Sequence, residues 1–105
     1  QRGALVPALT VLSGKAGQGA PGTVTLVNTS GDTFDVSQVT PQFDPAVSDL
    51  EVTLAPGNGQ LGPGQSAELS LLWTPQTSAQ SDETTLVVTV GGYRVTSVVR
   101  LVVGP

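Results

Sequence analysis

The chain contains no cysteine, no histidine and no methionine, and only four of its 105 residues are basic. Each gap removes a class of function. Without cysteine there is no disulfide, no thiolate metal site and no sulfur nucleophile. Without histidine the usual base of a serine or cysteine nucleophile is missing. Arg2, Lys15, Arg94 and Arg100 are scattered along a chain of net charge −4, so no basic patch can neutralise a row of phosphates or hold an anionic membrane surface. Nucleic acid is therefore excluded as a partner. No apolar run reaches the ~18 residues that a membrane span needs, so no membrane insertion is expected. Helix formers are so thin, with charged residues at 11%, that no long helix is expected either.

What remains is rich in turns and β-branched residues. Thirteen glycines and eight prolines punctuate stretches of Thr, Ser and Val, the pattern of many short strands. The length is that of one domain, and such a domain buries roughly 60–70% of the surface its unfolded chain exposes, enough for a core without staples.

Residues 1–7 have no clear period and are expected to form a linker or N-terminal extension, with one domain over 8–105. A first strand is predicted at 8–12, followed by a Gly/Pro loop at 15–22. Residues 23–28 alternate, placing Val24 and Leu26 on one face. Residues 28–32 form a turn in which Asn28 and Gly31 accept positive φ. A short strand at 33–36 points Phe34 and Val36 inward, and the slip at 37–39 reads as a bulge or strand end. Pro41 and Pro45 deny the irregular stretch 40–49 a central place in a sheet, and Phe43 is expected to tuck beneath it. Leu50, Val52 and Leu54 share a face; so do Ala67, Leu69, Leu71 and Trp73, on a strand that Pro75 stops. Two long strands, 83–90 and 93–103, are joined by Gly91-Gly92, a two-residue hairpin signal. Seven strands with one hairpin and no helix predict an all-β fold, an immunoglobulin-like antiparallel β-sandwich, with a closed barrel as the alternative.

Three pieces carry a family resemblance: GTVTLVNTSG from Gly22, LGPGQSAELSL from Leu61, and Trp73-Thr74-Pro75. In this order they resemble the immunoglobulin-like ASH/major-sperm-protein-type domains and bacterial surface modules of similar pattern. The resemblance spans about residues 20–90. It implies a spacer or protein-interaction module with no catalytic residues. Two features depart from the family pattern: Trp73 stands where a Phe is usual, and the last strand is longer than usual.

The reactive inventory agrees with that expectation. Asp32 and Asp35 flank a turn, Asp44 and Asp49 share a loop, and Asp82-Glu83 open a strand; no spacing matches an EF-hand loop. These carboxylates are read as solvated, with calcium in the end loops as the alternative, and no cofactor is expected. Gly17-Gln18-Gly19 and Gly57-Asn58-Gly59 lack both the lysine and the strand-to-helix setting of a phosphate loop. Trp73 keeps register with Leu69 and Leu71 and so belongs inside. Tyr93 belongs either at the core rim or on the surface.

Register also exposes a candidate contact surface. If Leu86, Val88 and Val90 face inward, Val87 faces out; if Val95, Val99, Leu101 and Val103 face inward, Val98 and Val102 face out. The outer face of the hairpin would then present Val87, Val98 and Val102 with Arg94 and Arg100, and Tyr93 at its turn. Leu72 and Val27 would face out from the opposite sheet. We expect a non-enzymatic structural or protein-interaction module of an exported bacterial protein, extracellular, at the cell surface or periplasmic. Its partner, or a second copy, would engage the final hairpin, with strand addition at an exposed last strand as one mode. The alternative is a carbohydrate-binding accessory domain of a larger secreted enzyme.

Overall fold

The computed structural model describes residues 3–54, 59–76, 82–90 and 92–103. It is an immunoglobulin-like β-sandwich. Ten strands follow in order: β1 (Gly3–Val6), β2 (Leu9–Gly14), β3 (Ala20–Asn28), β4 (Phe34–Asp35), β5 (Val39–Asp44), β6 (Leu50–Leu54), β7 (Gln60–Leu61), β8 (Ser66–Trp73), β9 (Asp82–Val90) and β10 (Tyr93–Val103). One four-stranded sheet, sheet A, has the order β1-β3-β8-β6; the other, sheet B, runs β2-β10-β9-β5. The two-stranded ribbon β4–β7 lies apart from both.

Period-two alternation builds the core. On β8, Leu69, Leu71 and Trp73 are buried while Ser70 and Leu72 between them are exposed. From the other sheet Leu86, Val88 and Val99 meet them, all without solvent access. Trp73 is fully enclosed, as its register requires, and its indole Nε1 has no hydrogen-bond partner. Leu50 is buried, whereas Phe43, Val52 and Leu54 are half-buried against the same core.

Several expectations need correction. Four residues of the expected linker, Gly3–Val6, form β1 and pair antiparallel with β3 from Gly3↔Asn28 to Val6↔Thr25. β3 begins at Ala20, inside the expected loop, so Pro21 and Gly22 sit in a strand. Gly22 belongs there because Leu12 of β2 packs onto it: a Cβ on Gly22 would lie 2.3 Å from Leu12 Cδ2. The stretch expected to be irregular contains β5, which carries Pro41 on the edge of sheet B, where a missing N–H is tolerated. The slip after Phe34 is a 3₁₀ turn at Val36–Gln38, capped by Asp35 and closed reciprocally by Gln38. Pro75 stops β8 as expected but is itself fully buried, and its carbonyl accepts from Gly17 N–H at 2.7 Å.

The largest correction concerns β10. It is no edge strand over its second half, because β2 pairs with it in parallel from Leu9↔Val98 to Gly14↔Val103. On its other side β9 pairs antiparallel along nearly its whole length, from Tyr93↔Val90 to Leu101↔Asp82. The hairpin turn lies where expected; Gly92 has φ of 93°, and Gly91 falls outside the described residues.

The chain changes sheets repeatedly, and two of the crossings, β1 to β2 and β5 to β6, carry a proline on the way. A buried hydroxyl of sheet B secures each of these two. Ser97 Oγ donates to the Pro7 carbonyl at 2.8 Å, and Thr84 Oγ1 donates to the Pro45 carbonyl. Both donor residues are 2% exposed while the accepting prolines are exposed, so each bond is part-buried.

Candidate interaction surface

β10 alternates regularly. Val95, Ser97, Val99 and Leu101 are buried toward the core, while Arg94, Thr96, Arg100 and Val102 are exposed outward, with Val98 half-buried among them. In parallel pairing, residues in register share a face, so Leu9 lies beside Val98, Val11 beside Arg100 and Ser13 beside Val102. Leu9 and Val11 therefore extend the apolar part of the face onto β2. They are 44% and 52% exposed, and Val102 is 38% exposed. Arg100 Nε holds Glu83 Oε2 at 3.1 Å across the same face. Both partners are more than half exposed, so this ion pair contributes little stability and mainly fixes the guanidinium among its apolar neighbours.

Of the six residues singled out from the sequence, four come together here: Arg94, Val98, Arg100 and Val102. Val87 points outward as expected, yet it is 3% exposed. It occupies an interior strand, with Gln42 of β5 and Thr96 of β10 on either side in register. The hairpin alone predicts one neighbour, and β5 supplies the second. Tyr93 has the core-facing parity of β10, placing it on the other side of the sheet from Val98 and Val102; its position at the strand's end leaves it 42% exposed. On the opposite sheet Leu72 is exposed and Val27 half-buried.

Leu9 and Val11 were missed for a physical reason. Their alternation with Thr10 and Leu12 marks a strand. It says nothing about which strand they join, and their parallel partner lies almost the whole chain away.

The same sheet has a second opening. β2 reaches only to Leu9↔Val98, so among the described strands residues 94–97 of β10 pair with β9 alone. Val98 N–H donates to the Ala8 carbonyl at 2.9 Å, which fixes the side toward which its N–H points. Because backbone direction alternates, the N–H groups of Arg94 and Thr96 point to that side too, where no strand follows. A cleft of about 400 Å³ lies there, lined by Ala4, Leu5, Arg94, Val95 and Thr96. Among the described residues no three acidic side chains gather as metal ligands would.

No family model and no curated protein sequence matches the chain. Solved structures do share its architecture. A region of the VesB protease of Vibrio cholerae aligns with a TM-score of 0.63 at 16% identity, covering 89% of this chain and 29% of that one. The chain thus spans under a third of that protease. The CARDB domain of a Pyrococcus furiosus protein, solved in complex with di-metal ions, aligns with a TM-score of 0.50 at 18% identity over 98% of this chain and 93% of that one. Identities this low carry the fold alone, and the fold they share with this chain is the immunoglobulin-like β-sandwich.

Proposed function

We propose that this chain is a non-catalytic protein-interaction module of the ASH/major-sperm-protein type. Its parent would be an exported bacterial protein working in the envelope, an appendage or the cell surface. The observation that carries the reading is the outer face of sheet B, where Leu9, Val11 and Val102 stand exposed around the Arg100–Glu83 pair. A contiguous apolar patch crossed by a fixed ion pair suits a protein contact better than bulk water. The absence of histidine and cysteine supports a non-catalytic role, and the sparse charge with a Thr/Ser/Gly/Gln-rich surface supports export. A carbohydrate-binding role needs aromatic platforms in line. Trp73 and Phe34 are buried and Phe43 is half-buried, which leaves Tyr93 as the one exposed ring.

A photo-crosslinking residue at position 11 or 102 tests this in the source cell, with position 53 on the opposite sheet as control. Discrete adducts are expected from 11 and 102 and none from 53, and Val98→Asp should abolish them while the domain stays folded. Equal labelling at all three positions would refute the assignment of this face.

A further inference from the structure

We infer that the half-edge of β10 that β2 leaves open, residues 94–97, is a slot for an extended acidic segment of a protein partner, which adds to sheet B as a short strand in line with β2. This deepens the interaction-module reading by naming a binding mode and the chemistry of what binds.

Three observations define the occupant. First, what the slot offers is backbone. The N–H groups of Arg94 and Thr96 face a side where no strand lies among the described residues, and only another extended chain matches a row of such groups. β2 closes one end at Leu9↔Val98, so the space takes about four residues, ~13 Å of extended chain. Second, the floor is shallow and its open surface is more polar than apolar. Leu5 and Val95 are 7% and 8% exposed and Ala4 is small, so an incoming strand finds little hydrocarbon to cover and is held chiefly by backbone bonds. Third, among the described residues the only charge lining the cleft is positive. Arg94 is exposed, no described carboxylate lines the cleft, and the sole ion pair among the described side chains of β10 belongs to Arg100. An acidic residue on the outward side of the incoming strand would face Arg94. A second copy of this chain would instead bring a second Arg94 into the slot, placing like charge beside like charge.

The other edge of the same sheet is guarded differently. β5 carries Pro41, which cannot donate to an added strand. Residues 94–97 contain no proline, and their opening exists because the chain lies in sheet A as β1 and joins sheet B only at Leu9.

The probe is a blocked eight-residue peptide that alternates aspartate and valine, titrated into isotope-labelled protein. The controls are a lysine–valine peptide and an N-methylated form of the acidic peptide. The amide signals of Arg94 and Thr96 should shift, and their hydrogen exchange should slow roughly tenfold at saturation. The lysine peptide should bind about fivefold more weakly, and Arg94→Glu should reverse that order. The N-methylated peptide should fail to bind, which separates strand addition from charge attraction. The inference is overturned if the N-methylated peptide binds as well as its parent, if the shifts centre on β5, or if millimolar peptide moves no signal. Shifts confined to Val11 and Val102 would remove the slot yet leave the outer face as the contact surface. The crosslinking test above stands independently of every one of these results.

Discussion

Asn28 does more than its place in a turn suggests. It is 1% exposed and every polar atom it has is bonded. Its Nδ2 donates to the carbonyls of Asp32 at 2.7 Å and Leu61 at 2.9 Å, and its Oδ1 accepts from Ser30 N–H at 3.0 Å and Ser30 Oγ at 2.7 Å. Its own N–H donates to the Gln65 carbonyl, and its carbonyl accepts from Gly64 N–H, both at 2.9 Å. Gly64 in turn has φ of 77° after Pro63, and Gln65 N–H donates back to the Gly62 carbonyl at 3.0 Å, the geometry of a type II turn. One side chain thus joins the turn after β3 to the Gly-Pro-Gly turn before β8. Asn28→Ala removes four buried or part-buried side-chain bonds, and urea unfolding should show a loss of about 2–4 kcal/mol. Asn28→Asp should cost at least as much at neutral pH, because a carboxylate cannot donate to two carbonyls; wild-type stability in either variant would contradict this account. The second turn is legible from Pro63 and Gly64; the first is legible in place, but neither Asn28 nor Gly31 takes the positive φ expected of it. The bond between the two turns is not legible, since its partners lie 33 residues apart and local sequence carries no trace of such a pairing.

At the level of elements, alternation told which face each strand buries, and it told this well for β6, β8 and β10. It could not tell strand order. β10 has the period of a strand whatever flanks it, and β2 joins it only because β1 has first been captured by sheet A. The crossings between sheets left one visible sign. Ser97 and Thr84 are polar residues at inward positions, which reads as a defect until Pro7 and Pro45 are found beside them. Ser97→Ala should therefore cost about 1–2 kcal/mol by leaving a carbonyl without its donor. Thr96→Ala, one residue away on the exposed face, should stay within about 0.5 kcal/mol. Thermal melts of the two variants check this directly, and equal shifts would show that Ser97 holds nothing at the crossing.

At the scale of the molecule, the sandwich measures 46 × 23 × 18 Å, and its strands lie along one body. β1 and the start of β10 share one end, where Ala4 and Leu5 approach Arg94. Gly14, Val103 and Pro75 gather at the other, beside Ala20. The outer face of sheet B and the half-edge beside it are the two regions proposed above for partners. The parallel pairing of β2 with β10 also decides how the domain bears tension. A pull between residues 3 and 103 draws β2 and β10 past each other lengthwise, so the whole ladder from Leu9↔Val98 to Gly14↔Val103 is strained together. A pull between residues 83 and 100, register partners near the open end of the hairpin, would part β9 from β10 one pair at a time. Single-molecule stretching should need clearly more force along the first axis than along the second, and equal forces would refute the assignment. A domain built in this way is mechanically anisotropic, stiff along the line from residue 3 to residue 103 and weak across it.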